Sequence, residues 1–267
     1  MKNERRQNHF MRTICIMNMK GGTGKTVTAI NLAADLAAIY DARVLLIDAD
    51  SQASLTEFLS SDENVRCGRS VTGGVADLLR GLEAVPEPTK IRDATLLAAD
   101  SSLIALDVTA AKNGVADPDA LRKWLKERRE KWDYVVIDCP PAFSAAATAA
   151  LAAADEVVIP MKLDAFGIRG MANLTAQIRN MRKLNPGLMV AGILPTMFYS
   201  SPQMFDAEKL LKSSGLPCFH HIRRSTMVDD STFAQKPLIE ASPKSAACRD
   251  YKIFTRDLVE GGAEYGV

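Results

Sequence analysis

Cysteine is scarce and scattered in this chain. There are 5 among 267 residues, Cys15, Cys67, Cys139, Cys218 and Cys248, none in a C-x-x-C spacing, and Cys15 and Cys139 fall in or beside apolar runs. This argues against a zinc or disulfide framework and for reduced thiols in the cytosol. Long apolar runs are also missing. Residues 1–10 are polar, without the apolar core of a signal peptide, and the most apolar stretch, Ala145 to Ala154, is short and alanine-rich, so neither a leader nor a membrane span is expected. An excess of one charge is absent as well: 33 Lys/Arg against 32 Asp/Glu leave a net charge of +1. Any nucleic-acid site must therefore be a local patch and not a global field. Adjacent His220 and His221 have no third ligand in view and read as surface or loop residues, not as a metal site.

What is present is size and pattern. A hydrophobic content of 47% over this length can bury a sizeable core as one α/β domain. Apolar runs read as buried strands over 13–17, 43–47, 95–99, 132–138, 155–161 and 188–194, with helical spacing after Lys25, from Val75 to Leu79, over 118–131 and from Phe166 to Leu184. This alternation predicts a mostly parallel, twisted sheet with helices on both faces. Residues 60–74 and Pro86 to Pro88 read as surface loops, and the charged run over 118–131 as a solvated helix face. The expected division is a polar tail over 1–11, one domain over 12–260 and a short tail over 261–267.

The most informative stretch is Met-Lys-Gly-Gly-Thr-Gly-Lys-Thr, residues 19–26, between the first strand run and a helical pattern at Val27, Ile30, Leu32, Ala33 and Leu36. Gly21, Gly22 and Gly24 would let backbone N–H groups converge on phosphate oxygens with no Cβ in the way, and the helix that follows adds its positive dipole end. Thr23 and Val27 complete the expected cradle, Lys25 would reach the outer phosphates of ATP, and the Thr26 hydroxyl would ligate Mg²⁺. Lys20 supplies neither a left-handed turn nor a helix cap, so turn chemistry does not explain it.

Two other strand ends carry carboxylates, and in open α/β sheets ligands bind at such ends. Asp48-Ala49-Asp50 could divide its labour, Asp48 hydrogen-bonding the phosphate loop and Asp50 facing the terminal phosphate; the alternative is an ordinary Asx turn. Asp138 stands where a carboxylate should help Thr26 hold Mg²⁺, with Asp50 also counted beside the ion. Pro140-Pro141 then stops the strand and stiffens the following loop, where a γ-phosphate sensor could sit.

On these residues the chain resembles the ParA-type DNA-partition ATPases, P-loop NTPases of the deviant Walker A group. Lys-Gly-Gly-x-Gly-Lys-[ST] matches 20–26, Asp-x-Asp-x-Gln matches 48–52 with Ser51 where the family has proline, and Asp-x-Pro-Pro matches 138–141. The resemblance covers residue 12 to about 260. It implies that Lys20 reaches across an ATP-bound homodimer to the other subunit's phosphates, that Lys20 and Lys25 neutralise charge during hydrolysis, and that Asp50 positions the attacking water. It further implies a slow ATPase stimulated by a ParB-type centromere-binding protein, nonspecific binding of double-stranded DNA, and a cytoplasmic, nucleoid-associated protein. Met197, in Pro195-Thr196-Met197-Phe198, matches the family segment on the adenine side. The short N-terminus matches the family's form without a helix-turn-helix module.

The C-terminal quarter resembles the family pattern Ile-Pro-Arg … Gly-Lys-Pro … Pro-x-Ser, with Arg223 in place of proline. Residues 220–256 hold seven Lys/Arg (Arg223, Arg224, Lys236, Lys244, Arg249, Lys252, Arg256) against four acids (Asp229, Asp230, Glu240, Asp250). Doubled in a dimer, Arg223, Arg224, Lys236, Lys244 and Arg249 would suffice for salt-sensitive phosphate contacts. A MinD-like membrane-associated ATPase would need a lysine-rich amphipathic C-terminus, and Glu-Gly-Gly-Ala-Glu-Tyr-Gly-Val is a poor anchor, so no stable membrane association is expected. A redox ATPase like the nitrogenase iron protein would need paired cluster-bridging cysteines, which this spacing disfavours.

Overall fold

Apolar runs become strands where both faces of a sheet can be covered, and among the described residues the computed structural model shows seven: β1 (Arg12–Ile16), β2 (Val44–Asp48), β3 (Glu87–Pro88), β4 (Ala94–Leu97), β5 (Tyr134–Asp138), β6 (Glu156–Lys162) and β7 (Met189–Thr196). The structure describes residues 11–66, 71–113 and 117–262, with backbone alone for residues 64, 66, 110–113 and 165–172. Cys67 and most of the two expected tails lie outside the described residues. The strand order is β3-β4-β2-β5-β1-β6-β7, and every pairing is parallel except β3 with β4. Val-Val-Ile and Val-Leu-Leu-Ile runs suit such central strands, which have no solvent-facing side.

Strand alternation sorts the core into two layers. Ile14, Ile16, Leu46 and Val136 face a layer built with α1 (Lys25–Tyr40), α2 (Ser54–Leu59) and, in part, α3 (Glu63–Arg66). Cys15, Leu45, Ile47, Val135 and Ile137 face the other, formed by α4 (Val75–Leu79), α5 (Ser102–Asn113), α6 (Ala120–Lys126), α7 (Ala145–Ala153), α8 (Ala165–Met181) and α9 (Pro202–Lys212). The chain then returns to the first layer through α10 (Thr226–Phe233), α11 (Leu238–Ala241) and α12 (Ala246–Glu260).

Several expectations are refined. Pro86 to Pro88 is not wholly loop: Glu87–Pro88 adds a two-residue antiparallel edge, a place where proline's missing N–H costs no ladder bond. The segment over 60–74 contains the short α3, while α2 and α5 had no clear signal. The charged run narrows to α6, whose Leu121, Trp124 and Leu125 are buried, leaving charge on the opposite side. The alanine-rich stretch becomes α7, capped by Ser144, whose hydroxyl accepts from the Ala147 amide at 3.0 Å. Among the described residues no helix is long and apolar enough to cross a membrane. α12 buries Tyr251, Phe254 and Leu258 in the layer it shares with α1, so this segment's apolar side is part of the core.

Candidate nucleotide site

β1 ends beneath a loop whose shape is set by its own polar contacts. Asn18 donates through Nδ2 to the Pro160 carbonyl at 2.7 Å and accepts from the Lys20 amide at 3.0 Å, which seats the loop against β6. From β7, Thr196 Oγ1 donates to the Thr23 carbonyl at 2.9 Å. Gly22 and Gly24 have φ of 69° and 84°, the left-handed region that glycine enters without a Cβ penalty, and a Cβ at Gly21 or Gly22 would meet only open space. α1 then begins at Lys25 with no side-chain cap and no acidic residue in its first turn. Uncapped amides and the positive dipole end thus face an open cradle, the arrangement that receives a phosphate.

Lys25 is buried, and its amine reaches the Lys20 carbonyl at 3.4 Å. Burial pulls its pKa down, opposed by the charges of Asp138 and Asp50. Thr26 Oγ1 donates to Asp138 Oδ2 at 2.6 Å, bringing together two expected metal ligands from α1 and β5. Asp138 is 1% exposed and its Oδ1 is a buried atom with no hydrogen-bond partner. Burial, then the neighbouring Asp48 charge, pushes the Asp138 carboxyl well above the usual range. An orphaned carboxylate oxygen beside a threonine hydroxyl fits a hydrated Mg²⁺. Among the described residues no three or more His, Cys, Asp or Glu are grouped to hold a metal unaided, so water and phosphate oxygens would complete the coordination.

Asp48 corrects an expectation. Its carboxylate does not hydrogen-bond the phosphate loop: it accepts from the Thr56 amide and hydroxyl, each at 2.8 Å, and from the Asp50 amide at 3.1 Å. α2 folds over the end of β2 and supplies these donors inside the core, so Asp48 shapes the Asp50 turn from below. Burial raises its pKa to about 6. Asp50 is half-buried on the wall of a cavity of about 550 Å³ that it shares with Gly21 to Val27 and Pro141. A second cavity of about 450 Å³ adjoins it through Gly24, Val27 and Met197, and runs to Ile222 and Arg224. Together they are roomy enough for a nucleotide, ligand pockets being typically about 300–1,000 Å³.

Lys20 is half-buried at the loop's start, and its ammonium contacts Asp164 at 2.6 and 2.9 Å. Asp164, Asn18, Thr196 and Gln235 were not anticipated as site residues. Asn18 carried a local signal in its position directly before the loop and Thr196 in the segment it shares with Met197, whereas Asp164 and Gln235 are brought in from distant turns.

The basic segment is only partly assembled. Arg223 is exposed at its end, but its guanidinium forms a bidentate pair with the fully buried Asp250 at 2.7 and 2.9 Å, so this arginine is committed to α12 before it meets any ligand. Arg249 donates to the Lys244 carbonyl at 3.1 Å and Arg223 to the Ala246 carbonyl at 3.5 Å, so all three exposed residues stand about the start of α12. Arg224 is exposed and lines the second cavity, while Lys236 stands apart on the turn between α10 and α11. His221 stacks on Phe198 at 3.7 Å and bonds Glu208 at 3.0 Å, a packing role. Cys15, Cys139, Cys218 and Cys248 are buried, so none of these four is offered at the surface as a cluster ligand.

Residues 11–190 match the AAA domain family. The chain is 33% identical over 260 residues to the chromosome partitioning protein ParA of Myxococcus xanthus, a match spanning 93% of this chain and 88% of that protein. It is 41% identical over 191 residues to the chromosome-partitioning ATPase Soj of Thermus thermophilus, spanning 70% of each. Among solved structures, cobyrinic acid a,c-diamide synthase from Mycobacterium smegmatis with bound ATP analog and magnesium superposes with a TM-score of 0.79 at 25% identity, covering 94% of this chain and 95% of that one.

Proposed function

Because the chain belongs to the AAA domain family, as a ParA-type ATPase of the ParA/MinD superfamily, we propose that it is an ATP-driven switch for partitioning DNA. In this reading an ATP-bound dimer holds nonspecific duplex DNA and hydrolysis releases it. The observation that carries it is Lys20: beside a cradle already supplied with Lys25, a second lysine rests on Asp164 with 38% of its side chain exposed. Such a pair is weak enough to exchange for a phosphate. In this reading the ammonium leaves Asp164 when ATP is bound and, across a dimer, neutralises charge on the facing nucleotide.

Within each protomer the amides of 21–26 and Lys25 receive the phosphates. Thr26 and Asp138 are the groups to hold Mg²⁺, which when bound spreads the negative charge of the phosphoryl group in flight. Asp50 orients the attacking water, held in place by the Asx turn it makes with the Gln52 amide at 3.0 Å. Little covalent chemistry is needed, since phosphoryl transfer runs on positioning and charge neutralisation. Turnover is slow alone and raised by a ParB-type activator. Arg224, Lys244 and Arg249 form the DNA-facing set, with Arg223 holding the start of α12 in place beneath them, which would place the ATP form on the nucleoid.

The test is fluorescence anisotropy of a random-sequence duplex titrated with protein, ATP against ADP, at two salt concentrations. ATP-dependent binding that weakens steeply with salt is the expected result. Equal binding with ADP, or none with either, would refute the switch.

A further inference from the structure

At the rim of the first cavity, the turn that closes α10 holds a side chain where glycine is the usual choice. The Gln235 amide donates to Thr232 O and the Lys236 amide to Ser231 O, each at 3.1 Å, which is the double bond of a Schellman cap. Its left-handed residue is Gln235, at φ 49°. A residue with a Cβ is disfavoured there, so the side chain needs a compensating use.

That side chain spans three elements. Gln235 Nε2 donates to the Glu57 carbonyl of α2 at 3.3 Å, and Gln235 Oε1 accepts from Lys90 Nζ, in the turn between β3 and β4, at 3.1 Å. Glu57 lies in the last turn of α2, where carbonyls lack helical partners. At its other end α2 is continuous with the Asp50 turn: the Ala53 amide donates to Asp50 O at 2.9 Å, and the Glu57 amide to Ala53 O at 2.8 Å. Ala53 is itself left-handed, at φ 53°. Asp50, Glu57 and Gln235 all line the same cavity.

We propose that Gln235 is a positioning residue for hydrolysis, a strap that holds α2, and through it the Asp50 turn, at the height the reaction needs. It also ties the Asp50 turn to the segment that continues into Lys236, so the hydrolytic loop and the C-terminal basic region share one mechanical link. This inference rests on the reading of Asp50 as the residue that orients water.

The experiment uses the full chain with Mg-ATP and compares wild type with Gln235→Gly, which removes the strap and relieves the backbone, and with Gln235→Glu, which keeps the acceptor for Lys90 but loses the donor to Glu57. Steady-state kinetics, thermal midpoints and amide hydrogen exchange over 54–59 are read together. Gln235→Gly is expected to lower kcat about tenfold with KM for ATP within about twofold, as a small misplacement does. Its thermal midpoint is expected to hold or rise and exchange over 54–59 to quicken; Gln235→Glu should follow it in kcat. A wild-type kcat in Gln235→Gly, a change in KM alone, or losses of kcat that merely track losses of thermal midpoint would each overturn the proposal. A wild type no more active than Lys25→Ala would instead refute the ATPase reading, and exchange over 54–59 would still decide whether the strap holds α2.

Discussion

Releasing Lys20 from Asp164 should tighten the ATP-bound dimer, and the size of the effect follows from the geometry. The pair is short, at 2.6 Å, but its side chains are 38% and 29% exposed. A pair in that setting is worth about 0.5–1 kcal/mol. If Lys20 reaches across the dimer as proposed, each protomer gives up one such pair, and dimerisation then forfeits about 1–2 kcal/mol over two protomers. Asp164→Asn keeps the shape and one acceptor while removing the charge, and should lower the dimer dissociation constant about 5- to 30-fold. Sedimentation velocity across a concentration series, with a non-hydrolysable ATP analogue, measures this directly. The gain should shrink as salt rises, because a half-exposed pair is screened. An unchanged or weaker dimer in Asp164→Asn would refute the argument that Asp164 holds Lys20 back.

Asp50→Ala should retain ATP and the dimer while losing turnover, and Lys20→Ala should bind ATP but stay monomeric; sedimentation with ATP and phosphate release check both. Arg224→Ala and Lys244→Ala should each flatten the salt dependence of duplex binding by about one phosphate contact per protomer without altering the thermal midpoint. Arg223→Ala should instead cost about 1–3 kcal/mol of stability in a denaturant titration, because it strips charged donors from the buried Asp250. Asp35, 2% exposed beneath α12, has its pKa raised to about 7 by burial, against the opposing effects of Lys252 and Thr255. A carboxyl whose folded pKa exceeds its unfolded value holds its proton more tightly when folded, so its contribution is complete below the unfolded pKa and fades as pH rises towards 7. Asp35→Asn should therefore flatten the fall in thermal midpoint between about pH 4 and pH 7 and stabilise the protein at the upper end, by on the order of a few kcal/mol.

Local pattern was enough for the sheet and for the glycine turn that joins β1 to α1. A strand run, a glycine turn and a helix succeed one another within residues 12–40, and each glycine's use follows from its own missing Cβ. The carboxylates of Asp50 and Asp138 were legible for the same reason, since apolar strands of a parallel sheet deliver their last residues to one edge. What each charged group holds was not legible, because those partners come from elements far apart in sequence. Asp164 meets Lys20 across 144 residues, and Asp250 meets Arg223 from the next helix but two. Asp48 reads from sequence as a partner of the loop above it, because Thr56, eight residues on, gives no sign that α2 folds back over the strand end. Gln235 reads as an unremarkable turn residue until its backbone angle and two distant partners are seen together. Periodicity and turn chemistry act through neighbours and so are written in the chain; the pairing of buried or half-buried charges depends on which loops the packed sheet brings to the same edge, and only the tertiary structure decides that.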